Sequence, residues 1–472
     1  MRTPLSIRTR WTSSALAAGL LVGSIALAAP RAGALDDPPK EPVYQVTKLS
    51  GAGGEPNVSI SPDGQTVLVD GLAGSPANLY RSTNGGATYT KVIFAGSLKK
   101  GGGDWDMHWQ NNTTVIAADL SLENGIYVDR STDGGLTWTQ TTVHTDTYDR
   151  PWLGVSGNNV YLIAKGFDSI PYCYISTDGG QTFATAPVPI YGTGAVPAAA
   201  GGGSPTPVEA FSAQNAYIDH VSIDPKSGDL YVLFGLDGED TYSSSAPFGT
   251  PSRLYVSHLA QGAAGPQFDV HAAYLGHAGD NFINGFNWMA IDRDGTIYVL
   301  GNGDHAGHQS TWLSFSKDHG VTWSSFKDVG EPGGNNVYGS IAAGAPGNLA
   351  LVYLHGTKAT PGEAQDWHAK VAQISGADTA TPVVSFLTDQ IGGAIHTADI
   401  CMDGILCGTV APFGDNRNLL DYMYNAVGPD GYPIAVVPSD GPASGGNGSS
   451  GSVAVMVIRQ TAGPGIGAGA PS

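Results

Sequence analysis

Three cysteines in 472 residues cannot all pair within the chain, and no Cys/His spacing matches a zinc site. Basic residues are scarce too, 22 Lys and Arg against 41 Asp and Glu, for a net charge of −19. A field of that sign repels phosphate backbones, so nucleic acid is not an expected partner. Long apolar runs are also missing. The N-terminal run from Ala15 to Ala29 falls short of the roughly 20 apolar residues that a membrane span needs, and no later segment qualifies.

That short run follows Arg2, Arg8 and Arg10 and leads to Ala32-Gly-Ala34, the layout of a secretory signal over residues 1–34. Secretion is the expected localisation, and loss of the signal's four arginines would take the net charge from −19 to −23. The acidity suits solubility, and no cofactor is expected beyond a structural calcium that it could also suit. Glycine is abundant, 67 residues or about twice the usual share, and falls at turns between short strands, which argues for an all-β chain. Residues 35–461 read as one domain and 462–472 as a flexible tail. Nothing in the sequence calls for more than a monomer.

One eight-residue pattern organises the chain. Ser131-Thr-Asp-Gly-Gly-Leu-Thr-Trp138 returns at Ser82–Tyr89, Ser176–Phe183 and Ser316–Trp323. In each, Asp133, Asn84, Asp178 or Asp318 can bond nearby backbone N–H groups, and a following glycine can take positive φ, which closes a hairpin. The starts at 82, 131 and 176 are spaced as four-stranded propeller blades would be. The pattern resembles the Asp-box (BNR-repeat) propellers of the sialidase-like superfamily, Ser-x-Asp-x-Gly-x-Thr-Trp, with departures at Asn84, Tyr89 and Phe183. The resemblance implies a β-propeller whose boxes are structural turns on the face opposite the ligand site.

Seven segments read as an inner strand, a turn and a second strand: 57–69, 107–118, 152–164, 218–234, 288–300, 339–354 and 422–437. They predict seven blades of four strands, with a six-bladed ring as the alternative. The seventh set lacks an outer strand of its own, so Val43–Leu49 is expected to close the ring. The long insertions at 184–215 and 235–252 are either plain loops or a lid beside the ligand face.

Propeller geometry places the residues just before each inner strand at one mouth of the central channel. Glu55, Asp104, Asp106, His108, Asp149, Arg150, Asp219, His220, Asn287, Trp288, Arg417, Asp421 and Tyr422 fall there. Asp149, Asp219, Asp421, Tyr422 and His220 are the candidate catalytic groups. Carboxylates serve as acid, base or nucleophile, and a histidine beside one can be tuned to neutral pH. Arg150, Arg417, Asp106, His108, Trp152 and Trp288 are the candidate binding groups, because arginine grips an anion bidentately and tryptophan offers a sugar a platform. Asp219-His220 and Asp106-Met-His108 read as equivalent places in two blades. Each has a plainer reading, a satisfied structural hydrogen bond or blade filler. His305 and His308, with Asp304, could hold a metal, but solvated loop histidines are the plainer reading and no metal site is assigned. Cys401 and Cys407 bracket a short loop that a disulfide could staple, and Cys173 reads as a buried thiol.

A sialidase holds its substrate carboxylate with three arginines, the first in Arg-Ile-Pro, and attacks with a Tyr assisted by Glu. This chain has no Arg-Ile-Pro, offers two arginines at the mouth, and sets Tyr422 beside Asp421 with no Glu evidently placed to activate it. The resulting expectation is a sialidase-like glycoside hydrolase acting on an extracellular glycan. A non-catalytic carbohydrate- or protein-binding propeller is the alternative.

Overall fold

The computed structural model describes residues 40–72, 78–94, 103–121, 125–144, 147–166, 170–191, 217–237, 251–262, 265–277, 279–282, 286–358, 360–386, 392–400, 416–441 and 453–467. Among them every regular element is a strand. The strands form seven antiparallel blades, six of them running outward in chain order. The chain is a seven-bladed β-propeller. The sixth blade carries a short fifth strand, His396–Ala398, on Gln365–Ser375.

The inner strands are Gly54–Ile60, Gly103–Trp109, Thr147–Ser156, Tyr217–Ile223, Trp288–Ile291, Asn335–Ala343 and Tyr424–Val427. Alternation predicts one buried face, yet Gly54–Ile60 is buried at every position. Blades stack face to face around the channel, which covers both sides of an inner strand. Ring closure follows the expected route: Val43–Leu49 pairs antiparallel with Ala454–Ala462 and becomes the outer strand of the seventh blade. Past that strand the chain is docked, with Ile466 N–H on the Gly431 carbonyl at 3.0 Å and Ala345 N–H on the Ile466 carbonyl at 2.9 Å. The expected tail therefore has an ordered start, and residues 468–472 lie outside the described residues, as do the proposed signal 1–34, Cys401 and Cys407.

Each box is closed by its acid. Asp133 Oδ1 accepts from Leu136 N–H at 3.1 Å and Thr137 N–H at 2.9 Å, and its Oδ2 takes the Thr137 hydroxyl at 2.6 Å. In the first box Asn84 instead donates from Nδ2 to Thr88 Oγ1 at 2.9 Å, so the amide serves with its donor reversed. Gly85, Gly134 and Gly179 donate to the carbonyls of Gln65, Thr113 and Asn158, which sets these boxes beside the first hairpin of each blade. That end is opposite the one where the inner strands begin. Arg81 and Arg459 extend the contact between blades, each donating from Nε to the box carbonyl of the next blade, Gly134 and Gly85.

Candidate functional site

Most inner strands begin with a bulge. Pairing breaks between Gly54 and Asn57, Gly103 and Asp106, Tyr148 and Trp152, Ile218 and His220, and Val337 and Ser340. After the break the first paired residues are Asn57, Asp106, Trp152, His220 and Ser340; Trp288 and Tyr424 occupy the same place in the other two blades. Two residues earlier stand Glu55, Asp104, Arg150, Ile218, Phe286, Tyr338 and Tyr422. The channel mouth is thus two stacked rings.

The lower ring is a plug. Trp152 and His220 lie 4.9 Å apart, His220 and Trp288 4.3 Å, and Trp288 and Tyr424 5.0 Å between ring centroids. Asn57 Nδ2 donates to Asp106 Oδ1 at 3.2 Å. Burial first of all lowers the His220 pKa to about 3, which removes it as a base at neutral pH. Trp152 and Trp288 are 0% and 1% exposed, so neither offers a sugar platform.

Carboxylates and amides between the rings satisfy backbone groups that the bulges free. Asp106 Oδ2 accepts from Leu153 N–H at 2.7 Å, on the next blade. Asp219 accepts from Asn287 N–H at 3.1 Å and from its Nδ2 at 3.0 Å, again across blades. Asn302 continues the series, accepting from Gly339 N–H at 3.0 Å. A Cβ at 339 would sit 2.6 Å from Asn302 Oδ1, so this close approach requires glycine. Asp106 and Asp219 therefore act as struts. Equivalence by sequence is also corrected: His220 matches Asp106, and Asp219 lies one residue off the rings.

The upper ring holds the reactive groups. Arg150 is 4% exposed, with its guanidinium carbon 4.0 Å from the Trp152 ring centroid and 4.2 Å from that of Tyr422. It pairs with Asp104 at 3.9 Å, and among the described residues none of its three side-chain nitrogens, nor the Tyr422 hydroxyl, has a hydrogen-bond partner. Glu55 hydrogen-bonds Asp104. Burial, then the charges of Asp104 and Asp421, raise the Glu55 pKa well above its ordinary value, which favours the protonated carboxyl. Burial likewise raises Tyr422, against the opposing pull of Arg150. Glu55, Asp104 and Tyr338 all adopt positive φ, 46°, 50° and 57°. Non-glycine residues rarely take that conformation, and it recurs here at ring-equivalent positions.

Arg417 pairs with Asp421, and both act electrostatically on Tyr338 along with Glu55, which sets the pair at the same mouth. His108 contacts Asp106 at 3.3 Å and is 14% exposed. The Asp149 side chain lies outside the described residues. Glu55, named at the mouth but not among the catalytic candidates, acts electrostatically on Tyr422 and stands in the same ring position as Asp104 and Arg150. Counting back two residues from the first paired position of each inner strand would have selected Glu55, Asp104, Arg150 and Tyr422 together.

No family model matches the chain, and no curated protein matches it. Solved structures do. A PL25 ulvan lyase bound to -[GlcA(1-4)Rha3S]- is similar at TM-score 0.51 and 10% identity, covering 89% of this chain and 96% of that one. A fungal alcohol oxidase of the AA5 family, in complex with copper, is similar at TM-score 0.51 and 9% identity, covering 89% and 76%. Trypanosoma rangeli sialidase aligns at TM-score 0.37 and 10% identity, covering 88% and 59%. At these identities the likeness concerns the propeller fold alone.

Proposed function

We propose that the protein is a secreted, sialidase-like propeller that hydrolyses an extracellular glycan bearing an anionic sugar, with Arg150 holding the anion. The carrying observation is the buried Arg150 guanidinium, whose nitrogens find no hydrogen-bond acceptor among the described residues. An unbonded buried donor costs about 1–3 kcal/mol, more when charged, and a carboxylate or sulfate taken up bidentately would remove that cost. The raised pKa of Glu55 suits it to donate a proton to a leaving oxygen. Tyr422 stacks beside Arg150, and its buried hydroxyl has no hydrogen-bond partner among the described residues.

A second reading, recognition without hydrolysis, is favoured by the direct Glu55–Asp104 hydrogen bond. Glycosidase carboxyl pairs stand about 5 Å apart or more. Incubation with neutral, uronic, sialic and sulfated glycosides separates the two readings: released sugar supports hydrolysis, and calorimetric binding without release supports recognition. Arg150→Lys keeps the charge opposite Asp104 and removes the planar fork. It is expected to weaken binding of the responding glycan about ten- to a hundredfold, the 1.5–3 kcal/mol of a charged hydrogen bond, with the melting temperature held. Glu55→Gln should retain binding and lose turnover. If both variants match the wild type, the site lies elsewhere.

A further inference from the structure

On the mouth side of the fifth blade a second constellation has formed from parts distant in sequence. His277 and Asp280 belong to the connection that leads into the blade, and His305 ends the strand Ile297–His305. One ligand atom from each lies within 4.8 Å of the others. His305 Nδ1 is 3.2 Å from Asp280 Oδ1, and His277 Nδ1 is 3.6 Å from Asp280 Oδ2. The Tyr274 hydroxyl stands 2.7 Å from His277 Nδ1 and 3.1 Å from His305 Nδ1, and it also donates to Asp280.

We infer that these groups form a binding site for a borderline divalent transition metal, zinc foremost, with His277, Asp280 and His305 as ligands and the Tyr274 hydroxyl at the fourth corner. Zinc bonds to nitrogen and oxygen are about 2.0–2.2 Å long, which puts the corners of a tetrahedron about 3.3–3.6 Å apart. The two carboxylate–imidazole distances, 3.2 and 3.6 Å, match that spacing, and the Tyr274 hydroxyl stands closer, at hydrogen-bond distance from His277 and His305. Two imidazoles exclude a calcium or magnesium preference, since those ions take oxygen cages. The site is built as well as gathered. Asn281 N–H donates to the Asp304 carbonyl at 2.8 Å and Asp304 N–H to the Asn281 carbonyl at 2.7 Å, fastening the Asp280 loop to the His305 strand. The His305 ring stands edge-on to Trp312 at 4.7 Å and to Tyr274 at 5.4 Å, which fixes where Nδ1 points. With four corners supplied by the chain, the ion staples the connection to the blade and leaves no position for chemistry.

The test uses untagged full-length protein stripped with chelator and titrated calorimetrically with Zn²⁺, then with Co²⁺ followed by visible absorption. One equivalent of saturable Zn²⁺, the intense d–d bands of tetrahedral Co²⁺ and a higher melting temperature are expected. His277 is 76% exposed, so His277→Ala should leave the metal-free melting temperature unchanged and weaken Zn²⁺ binding at least tenfold. His305→Asn, which keeps a polar group beside Asp280, should do the same. Absence of saturable binding, or unaltered Zn²⁺ affinity in both variants, would overturn the site and leave a hydrogen-bond network closed by Tyr274.

Discussion

Asp219 is nearly dry, 3% exposed, and among the described residues its two oxygens bond Asn287 on the neighbouring blade. Burial outweighs those bonds and raises its pKa to about 8. In the unfolded chain the same carboxyl titrates near 3.9, so between the two values the folded protein holds a proton that the unfolded one releases. The group's stabilising share is complete below about pH 4 and is lost as pH rises toward 8, at about 1.4 kcal/mol per pH unit. Asp219→Asn keeps the shape and cannot ionise. Its stability relative to wild type should improve steadily from pH 5 to pH 8 in urea unfolding. A gap between the two proteins that does not change with pH would mean that the carboxylate stays ionised in the fold and that its amide bonds outweigh burial.

Box hairpins show what one element contributes apart from the site. Asp178 is held to a pKa of about 2, by the Thr182 hydroxyl and N–H and then by Ser176, so its contribution is present above about pH 4 and fades as pH falls through 2. Asp133 makes the same bonds in the second blade. Asp133→Ala should cost about 0.5–2 kcal/mol, the range of a lost cap, and leave glycan binding untouched, because the boxes lie at the opposite end from Arg150. Asp133→Asn should cost less, since Asn84 fills that role in the first box. Loss of binding in Asp133→Ala with an unchanged unfolding curve would reverse the two faces. These turns were legible in the sequence because the bonding is local, within four residues. The bulges at the inner-strand entrances were not, since they are stabilised by groups on other blades, such as Asp106 reaching Leu153. The one-residue error that promoted Asp219 to the ring came from there. For the same reason His305 was matched with its neighbour His308, when its partners His277 and Asp280 arrive from the preceding connection.

At the scale of the whole ring, a propeller is as stable as its closing joint, because an open ring exposes two sheet edges at once. The joint here is Val43–Leu49, in continuous register from Tyr44 against Gln460 to Leu49 against Val455. Three of its seven residues are exposed, three are half-buried, and only Leu49 is fully buried. Its contribution therefore comes chiefly from backbone hydrogen bonds, at about 0.5–1.5 kcal/mol each, with Tyr44 and Val46 adding contact against the cluster around Ala435 and Val437. The strand runs on through residues 50–53 into the first inner strand, and Gly53 N–H bonds the Val453 carbonyl at 3.0 Å, so the first and last blades are joined twice. Protein beginning at Ser50 should keep that second tie, lose several kcal/mol, and melt at a lower temperature in one transition that includes every blade. The bare edge of Ala454–Ala462 should also make it associate as concentration rises, visible in sedimentation. Addition of a synthetic peptide spanning 43–49 should recover part of the lost melting temperature. A truncated protein that melts with the wild type and stays monodisperse would show that packing between blades alone holds the ring, and the N-terminal strand would then be an accessory edge.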